Sequence, residues 1–377
     1  MTLLEFIRSH LSLALISELI EHRTPVTSMI FTRVFERREN RPTPTLNLAE
    51  INRATKCMPV IHRGGHAVPL DPHNAAVTWI EPLSIRLSEL ITGAKLNNLK
   101  TLYGTGDEHG QALVSAELDR MVQDLMDSTE LTRNALCAQA LTGKIDYQME
   151  SENGLERYEI SFGTDGTSKY ALTTLLDDES ATLIDAYNTI IAMRKVLSEA
   201  GYSGTIEVMA GSNAYSTLSN LVAVTPESSR LGSTISENHI TIFGIPIYAN
   251  LDTYTDKNSS GAEVVKDCVD KNSLVMYIKG SGKLAYCAID DLDGNLQATP
   301  FFSKVVKLDD PSAYNVISES KPMPLIPPKS ICWATVTASM GRRTALTINN
   351  NITVDAGAEQ GLQNIEEQNS EEPEKTE

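Results

Sequence analysis

The sequence has 377 residues and a hydrophobic content of 41%, which allows one large domain or two to three smaller ones. Its formal net charge of −17 at pH 7 opposes broad binding to nucleic acids and anionic membranes, so we expect any nucleic-acid contact to be local. Charged side chains interrupt residues 1–22 too often for a membrane span, and this stretch predicts an amphipathic helix in an N-terminal arm.

The cysteines indicate a reducing environment. Their number is odd, they are widely spaced, and the sequence shows no signal-peptide pattern. We therefore expect reduced cytosolic thiols at Cys57, Cys137, Cys268, Cys287 and Cys332.

The opening of the chain predicts a long two-stranded excursion. Strand-like apolar residues lie between Thr43 and Leu90, and a turn-rich tip, Arg63-Gly64-Gly65-His66, interrupts them. An isolated hairpin is only marginally stable in water, so we expect the excursion to lie on a neighbouring molecule. The predicted assembly contacts are Arg63, Gly64, Gly65, His66 and Asp71.

One long helix is predicted after the excursion. Apolar residues from Val114 to Met126 recur at helical spacing, and Gly143 is placed to end a helix over residues 110–141. This helix spans roughly 45 Å at the α-helical rise per residue. Residues 145–162 alternate between apolar and polar around Asn153-Gly154, which predicts a β-hairpin.

The remaining segments alternate between helical and strand-like patterns, which predicts an α+β fold. Helices are predicted over 180–200 and 214–222, and strands over 205–209, 240–249 and 274–278, the second of these folded as a pair around Gly244.

The C-terminal third predicts further strands and a flexible end. Two strands are expected to flank the turn Asp293-Gly294, and strands over 312–320 and 330–337 to enclose Pro322, Pro324, Pro327 and Pro328. Residues 341–377 are acidic and poor in apolar side chains, so we expect them to form a flexible acidic tail.

Two groups of residues look like metal ligands, but we expect neither to hold a metal. Cys57, His62, His66 and His73 match no zinc spacing and lie in the extended tip, which offers no supporting residues. Around Asp290, Asp291, Asp293 and Asn295, the glycine at 294 comes before the place that a calcium loop requires, and no glutamate closes the twelve-residue span, so we interpret these residues as a hairpin turn.

The sequence also lacks a convincing cofactor or catalytic set. Gly104-Thr105-Gly106 precedes the long helix, but no P-loop lysine follows, and we interpret Asp107 and Glu108 as charges that complement the helix dipole. No nucleophile elbow occurs, and four of the seven histidines lie in the extended opening. We therefore predict no cofactor and no enzymatic activity.

A basic cluster stands out in the acidic sequence. Its members are Arg33, Arg37, Arg38 and Arg41. We prefer to interpret it as an exposed helix face that Glu36 and Glu39 partly neutralise. The alternative is contact with DNA phosphates or with a neighbour's carboxylates.

Several short motifs occur in a characteristic order along the chain. They are Thr24-Pro25-Val26, Ile30-Phe31-Thr32-Arg33-Val34-Phe35, Ala140-Leu141-Thr142-Gly143-Lys144 with Tyr147, Tyr158-Glu159-Ile160-Ser161-Phe162-Gly163, and the run from Asp309 to Leu325. In this order the motifs resemble the lambda-type major capsid protein E family of tailed bacteriophages, which has the Hong Kong 97-type capsid fold.

The resemblance implies a division of the chain. It implies an N-terminal arm (1–43), an E-loop (44–92), a peripheral domain with its spine helix (93–174 and 291–340), an axial domain (175–290) and the flexible tail (341–377).

The resemblance also implies a function. It predicts a major capsid protein that self-assembles into hexamers and pentamers of an icosahedral head around double-stranded DNA, with host cytoplasm as the place of assembly. The implied partners are further copies of the chain, a portal, a scaffold and a trimeric decoration protein, with non-specific contact to DNA and none to membranes. The alternatives are another virion protein, such as a tail-tube subunit, and an acidic glycosidase-like enzyme.

Overall fold

The computed structural model describes residues 2–10, 12–21, 28–47, 79–104, 107–151, 154–163, 166–226, 228–258, 261–310 and 312–338. Its helices are α1 (Leu3–His10), α2 (Leu13–Glu21), α3 (Met29–Arg33), α4 (Gly93–Tyr103), α5 (Glu108–Ala140), α6 (Leu183–Glu199) and α7 (Ser212–Val224). None of these helices is long and apolar enough to cross a lipid bilayer.

The strands complete a mixed architecture, which confirms the predicted α+β class. They are β1 (Arg37–Arg41), β2 (Leu46–Asn47), β3 (Trp79–Ile80), β4 (Ile85–Thr92), β5 (Lys144–Ser151), β6 (Gly154–Ser161), β7 (Ser168–Lys169), β8 (Ile206–Ala210), β9 (Thr234–Ile235), β10 (His239–Ile242), β11 (Ile245–Ala249), β12 (Thr253–Lys257), β13 (Glu263–Asp267), β14 (Ser273–Ile278), β15 (Lys283–Cys287), β16 (Phe302–Leu308), β17 (Ala313–Ser320), β18 (Pro322–Leu325) and β19 (Ile331–Thr335).

The helix α5 confirms the predicted long helix. Its 33 residues correspond to a length of about 50 Å. The Asp107 side chain caps its N-terminus by accepting a hydrogen bond of 2.9 Å from the Gly110 amide, as expected for a helix-start carboxylate. Its first half buries one apolar stripe, whereas every residue from 133 to 140 is buried. The helix therefore passes from the edge of the subunit into its interior.

A seven-stranded sheet forms the second large element. Its strand order is β7-β19-β14-β8-β11-β10-β9, and α6 and α7 pack against one of its faces. The interior strand β14 is buried at all six positions. Leu274 and Met276 face the cluster of α6 and α7, whereas Val275 and Tyr277 face the cluster around the end of α5. This explains why the segment has no polar face.

Two predicted strand pairs are confirmed. The hairpin of β5 and β6 pairs Lys144 with Ser161 and continues to the turn, where Gly154 has a φ of +110°. The strands β10 and β11 pair around Gly244, whose φ of +82° suits glycine.

The strands predicted over 312–320 and 330–337 are confirmed as β17 and β19, whereas the turn after β15 and the proline segment between β17 and β19 differ from expectation. The turn at Asp293-Gly294 is present, but only one bridge, between Ala288 and Ala298, flanks it instead of a strand pair. The adjacent strands pair elsewhere, β15 with β1 and β18, and β16 with β17. The segment with Pro322 and Pro324 is itself the strand β18, which prolines tolerate because it lies at the edge of its sheet.

Candidate assembly interface

The basic cluster does not form a helix face, so the preferred interpretation of the sequence is wrong. Arg33 ends α3, and Arg37, Arg38 and Arg41 lie in β1, which runs parallel to β15. The chain becomes extended here because Val34 and Phe35 are buried and β15 offers a strand to pair with. The arginines consequently point to different surroundings.

Arg33 is engaged within its own subunit. Its guanidinium lies 3.3 Å from the buried Glu207 carboxylate of β8 and stacks 3.5 Å above the ring of Tyr248. Glu207 also accepts a hydrogen bond of 2.9 Å from the Tyr277 hydroxyl. Arg33 therefore ties the arm to the seven-stranded sheet and is poorly placed to bind DNA.

The other three arginines differ in exposure. Arg41 pairs with Glu39 at 2.9 Å, and Glu39 also pairs with Lys283 of β15 at 3.3 Å. Arg38 lies over the Phe31 ring at 4.7 Å yet remains exposed, as does Arg37. Arg37 and Arg38 are thus the members of the cluster that present charge to the outside.

The start and end of the predicted excursion are adjacent. β2 pairs with β3 through Leu46 with Ile80 and Asn47 with Trp79, so the chain leaves and returns at one place. The predicted contacts Arg63, Gly64, Gly65, His66 and Asp71 lie outside the described residues, as do Cys57, His62 and His73. The roles proposed for these residues remain predictions.

Glu81, just after β3, is held by two neighbouring elements. Its carboxylate accepts a hydrogen bond of 2.9 Å from Lys321, whose side chain is only 3% exposed, and its carbonyl accepts one of 2.8 Å from Tyr158. Lys321 also lies 3.3 Å from Asp290. The returning end of the excursion is therefore fixed on the body of the subunit.

The charge state of this contact favours an ion pair. Burial lowers the pKa of Lys321, but the hydrogen bonds to Glu81 and Asp290 outweigh it and leave the pKa above its usual value. Burial raises the pKa of Tyr158 to about 12, so its hydroxyl stays protonated and donates. Lys321 is an ammonium here and is not a nucleophile.

The acidic turn after β15 is neutralised by lysine within the chain. Lys304 lies 2.7 Å from Asp291 and 2.8 Å from Asp293, and Asp291 also accepts the amide of residue 293 at 2.9 Å. Burial raises the pKa of Asp291, but these hydrogen bonds outweigh it and lower the pKa overall. Among the described residues, no group of three or more His, Cys, Asp or Glu is arranged to hold a metal ion.

A groove lies between α5, β5 and β12, and we call it the β12 groove. It has a volume of about 310 Å³. Its lining residues are Ser28, Leu131, Thr132, Asn134, Ala135, Tyr147, Asp252, Thr253, Tyr254, Thr255 and Cys268. These residues come from five separate stretches of sequence, so no local motif signals the groove.

The cysteines described by the structure are free and buried, which agrees with the expected reduced thiols. They are Cys137, Cys268, Cys287 and Cys332. Burial is the main cause that raises the pKa of Cys137 to about 12 and that of Cys332 to about 11. These thiols are therefore protonated and unreactive at neutral pH.

The fold defines the class of protein. A prophage protein of E. coli CFT073, described as a capsid protein, is similar with a TM-score of 0.56 and 16% identity over 86% of this chain and 98% of that chain. The capsid of cyanophage P-SCSP1u aligns with 84% of this chain and 90% of its own (TM-score 0.43, 9% identity), and the mature capsid of bacteriophage PhiM1 with 84% and 89% (TM-score 0.44, 10% identity). The first comparison shows the Hong Kong 97-like phage capsid fold.

The sequence then gives the family. The model of phage major capsid protein E matches residues 12–336, and the chain belongs to this family. No curated protein sequence matches the chain. The resemblance found in the short motifs is thereby confirmed, and the protein has a structural role as a self-assembling subunit of a phage capsid shell.

Proposed function

We propose that this subunit assembles into hexamers and pentamers that close an icosahedral head around double-stranded DNA. The match of residues 12–336 to the capsid family carries the proposal. Identical contacts repeated around closed rings build a stable shell from interfaces that are individually modest. The proposed role contains no catalytic step.

The proposed division of the chain keeps the boundaries that the family resemblance implied. It consists of an arm (1–43), an E-loop (44–92), a peripheral domain (93–174 and 291–340), an axial domain (175–290) and an acidic tail (341–377). The seven-stranded sheet supports an axial unit built on β8 to β11 and β14, to which β7 and β19 add one edge.

The proposed contacts between copies use the excursion and the arm. Arg63, Gly64, Gly65, His66 and Asp71 would lie on the adjacent subunit. Arg37 and Arg38, which are exposed, are the candidates for contact with DNA phosphates or with a neighbour's carboxylates. Because the whole chain is strongly acidic, such DNA contact is local and non-specific.

The other proposed partners act during assembly. They are a portal, a scaffold and a trimeric decoration protein, and assembly takes place in the host cytoplasm. The free, buried thiols agree with a reducing compartment.

The test is the shape of the particles that the purified chain forms. Electron microscopy and sedimentation velocity are expected to show closed shells, or pentamers and hexamers, for the wild type and a folded subunit without closed shells after deletion of residues 63–71. Deletion of residues 368–376 in the acidic tail, a deletion of equal length, is the control and is expected to leave shells intact. Tubes would favour a tail subunit, and normal shells from the first deletion would refute the role of the excursion.

A further inference from the structure

The turn from β14 into β15 places two lysines beside the arm strand β1. Its sequence is Lys279-Gly280-Ser281-Gly282-Lys283, and we call it the lysine turn. Gly280 has a φ of +73°, which suits glycine. A Cβ at Gly282 would lie 2.7 Å from the carbonyl oxygen of Val34, just after α3. The two glycines therefore let the lysine turn pack closely against the arm.

Arg37 and Lys283 lie on one face of the β1–β15 pair. They are direct partners in the parallel register, and neighbouring strands are about 4.8 Å apart, so the two side chains emerge side by side. The Arg37 guanidinium lies against the lysine turn, with its Nε 3.8 Å from where a Cβ of Gly280 would be. Arg38 is paired with the buried Leu284 and therefore emerges on the opposite face.

The charge of this surface is opposite in sign to that of the whole protein. Residues 33–41 carry four arginines and two glutamates, and residues 279–283 carry two lysines and no acid, so together they have a net charge of +4, whereas the rest of the chain has −21. Lys279 lies 3.7 Å from Glu207, and Lys283 lies 3.3 Å from Glu39. Among the described residues, no carboxylate lies within 4 Å of the Arg37 guanidinium. A positive potential is therefore centred on Arg37.

The composition of the surface favours phosphates over a protein partner. Residues 33–41 and 279–287 include no exposed large apolar side chain. Interfaces between proteins have an apolar centre that is depleted in charge, whereas surfaces that bind DNA are more polar and much more positively charged. Guanidinium and ammonium groups side by side, without exposed apolar neighbours in these segments, match the second kind of surface.

We propose that Arg37, Lys283 and the lysine turn bind the backbone phosphates of double-stranded DNA. The guanidinium forms two parallel hydrogen bonds to one phosphate, and the half-exposed Lys279 and the partly exposed Lys283 supply point charges to the phosphates beside it. The contact is independent of sequence because phosphates do not differ between bases. This inference rests on the proposed function, since the duplex is the one that the shell encloses, and it assigns DNA rather than a neighbour's carboxylate to Arg37.

Fluorescence anisotropy of a labelled DNA duplex of mixed sequence, titrated with the purified full-length subunit at several NaCl concentrations, tests the site. The double variant Arg37→Gln with Lys283→Gln is expected to weaken binding at least about tenfold and to lower the slope of log K against log[NaCl] by about 2, because two phosphate contacts are lost. Arg38→Gln is expected to weaken binding less than Arg37→Gln does.

The matched control is Arg194→Gln, which removes an exposed arginine of α6 and is expected to leave the affinity within about twofold of the wild type. Equal losses for the variants of Arg37, Arg38 and Arg194, or a wild type that does not bind the duplex, would overturn the inference. Displacement of the duplex by inorganic phosphate, but not by NaCl of equal ionic strength, would identify a free anion as the ligand and would also overturn it.

Electron microscopy of the particles separates DNA from a neighbouring copy. Arg37→Gln is expected to form closed shells like those of the wild type. Loss of shells by a folded Arg37→Gln chain would assign this arginine to a neighbour's carboxylate and overturn the inference, while the proposed function would stand. A wild-type chain that never assembles would contradict the proposed function, whereas duplex binding by the unassembled subunit still reports on this site.

Discussion

Arg33 and Glu207 lie 3.3 Å apart although 174 residues separate them, and their ion pair joins the arm to the seven-stranded sheet. Glu207 also lies 3.7 Å from Lys279 and accepts the Tyr277 hydroxyl. Two hydrogen-bond donors, Arg33 and Tyr277, and one further cation, Lys279, therefore converge on one carboxylate that is almost fully buried, so this residue holds together elements that are distant in sequence.

Replacement of Glu207 by alanine is expected to destabilise the subunit. The Tyr277 hydroxyl would lose its buried acceptor and Arg33 its partner, which together cost about 2–3 kcal/mol in the free energy of unfolding. Urea denaturation of the unassembled subunit measures this cost. Lys195→Ala, which removes an exposed helical ion pair with Glu199, is the control and is expected to cost at most about 0.5 kcal/mol. Similar costs for the two variants would contradict the role of Glu207.

The contact of Lys321 predicts an asymmetry between two replacements. Lys321→Met removes the buried charge and leaves Glu81 and Asp290, which are exposed, to be solvated, so we expect a loss of about 1 kcal/mol. The double variant Glu81→Gln with Asp290→Asn leaves the ammonium buried without a charged partner and is expected to cost about 3 kcal/mol. Thermal unfolding followed by circular dichroism measures both, and the reverse order would refute the ion pair as described.

The buried thiols predict sensitivity to alkali. The pKa of Cys137 is raised from 9.0 to about 12, so its neutral form is favoured in the folded state. Its contribution to stability is fully present below pH 9 and is lost as the pH rises toward 12, because the unfolded chain releases the proton first. In the Cys57→Ser variant, a thiol reagent is expected to react slowly at pH 7 and rapidly once urea unfolds the protein. Rapid reaction of the native protein would contradict the burial.

Two glycines predict opposite responses to alanine. A Cβ at Gly211 would lie 2.1 Å from the Asp270 carbonyl oxygen, so Gly211→Ala forces the backbone apart and is expected to cost about 3 kcal/mol. A Cβ at Gly93, in the first turn of α4, meets nothing within 4 Å. Gly93→Ala is expected to stabilise the subunit by up to about 1 kcal/mol through helix propensity. Urea midpoints of the two variants are the measurement, and shifts of the same sign would contradict this packing.

Local sequence patterns predicted the elements that depend on their own residues. The stripe from Val114 to Met126 is enough to specify α5, and Asn153-Gly154 is enough to specify the turn of the β5–β6 hairpin. Residues 37–41 contain four charged side chains in five positions and carry no strand pattern. They form β1 because they pair with β15, which lies about 245 residues further along the chain. The local sequence therefore does not specify this strand.

The surroundings of the arginine cluster and the lining of the β12 groove could not be predicted from local sequence patterns. The spacing of Arg33, Arg37 and Arg41 fits one face of a helix, but the burial of Val34 and Phe35 ends α3 and redirects the chain. The β12 groove assembles residues from distant stretches, and only the exposed Leu131 on α5 departs from what a helical pattern would predict. Tertiary packing therefore decides both features.

The strand β14 has a consequence for how the subunit behaves in a shell. Its alternate side chains belong to two hydrophobic clusters, so the two clusters share this strand. A displacement of β14 would therefore expose apolar side chains in both clusters at once. We therefore expect the body of the subunit to move as one rigid unit. Where a closed shell requires identical subunits to meet their neighbours at different angles, the adjustment then takes place at the interfaces between subunits.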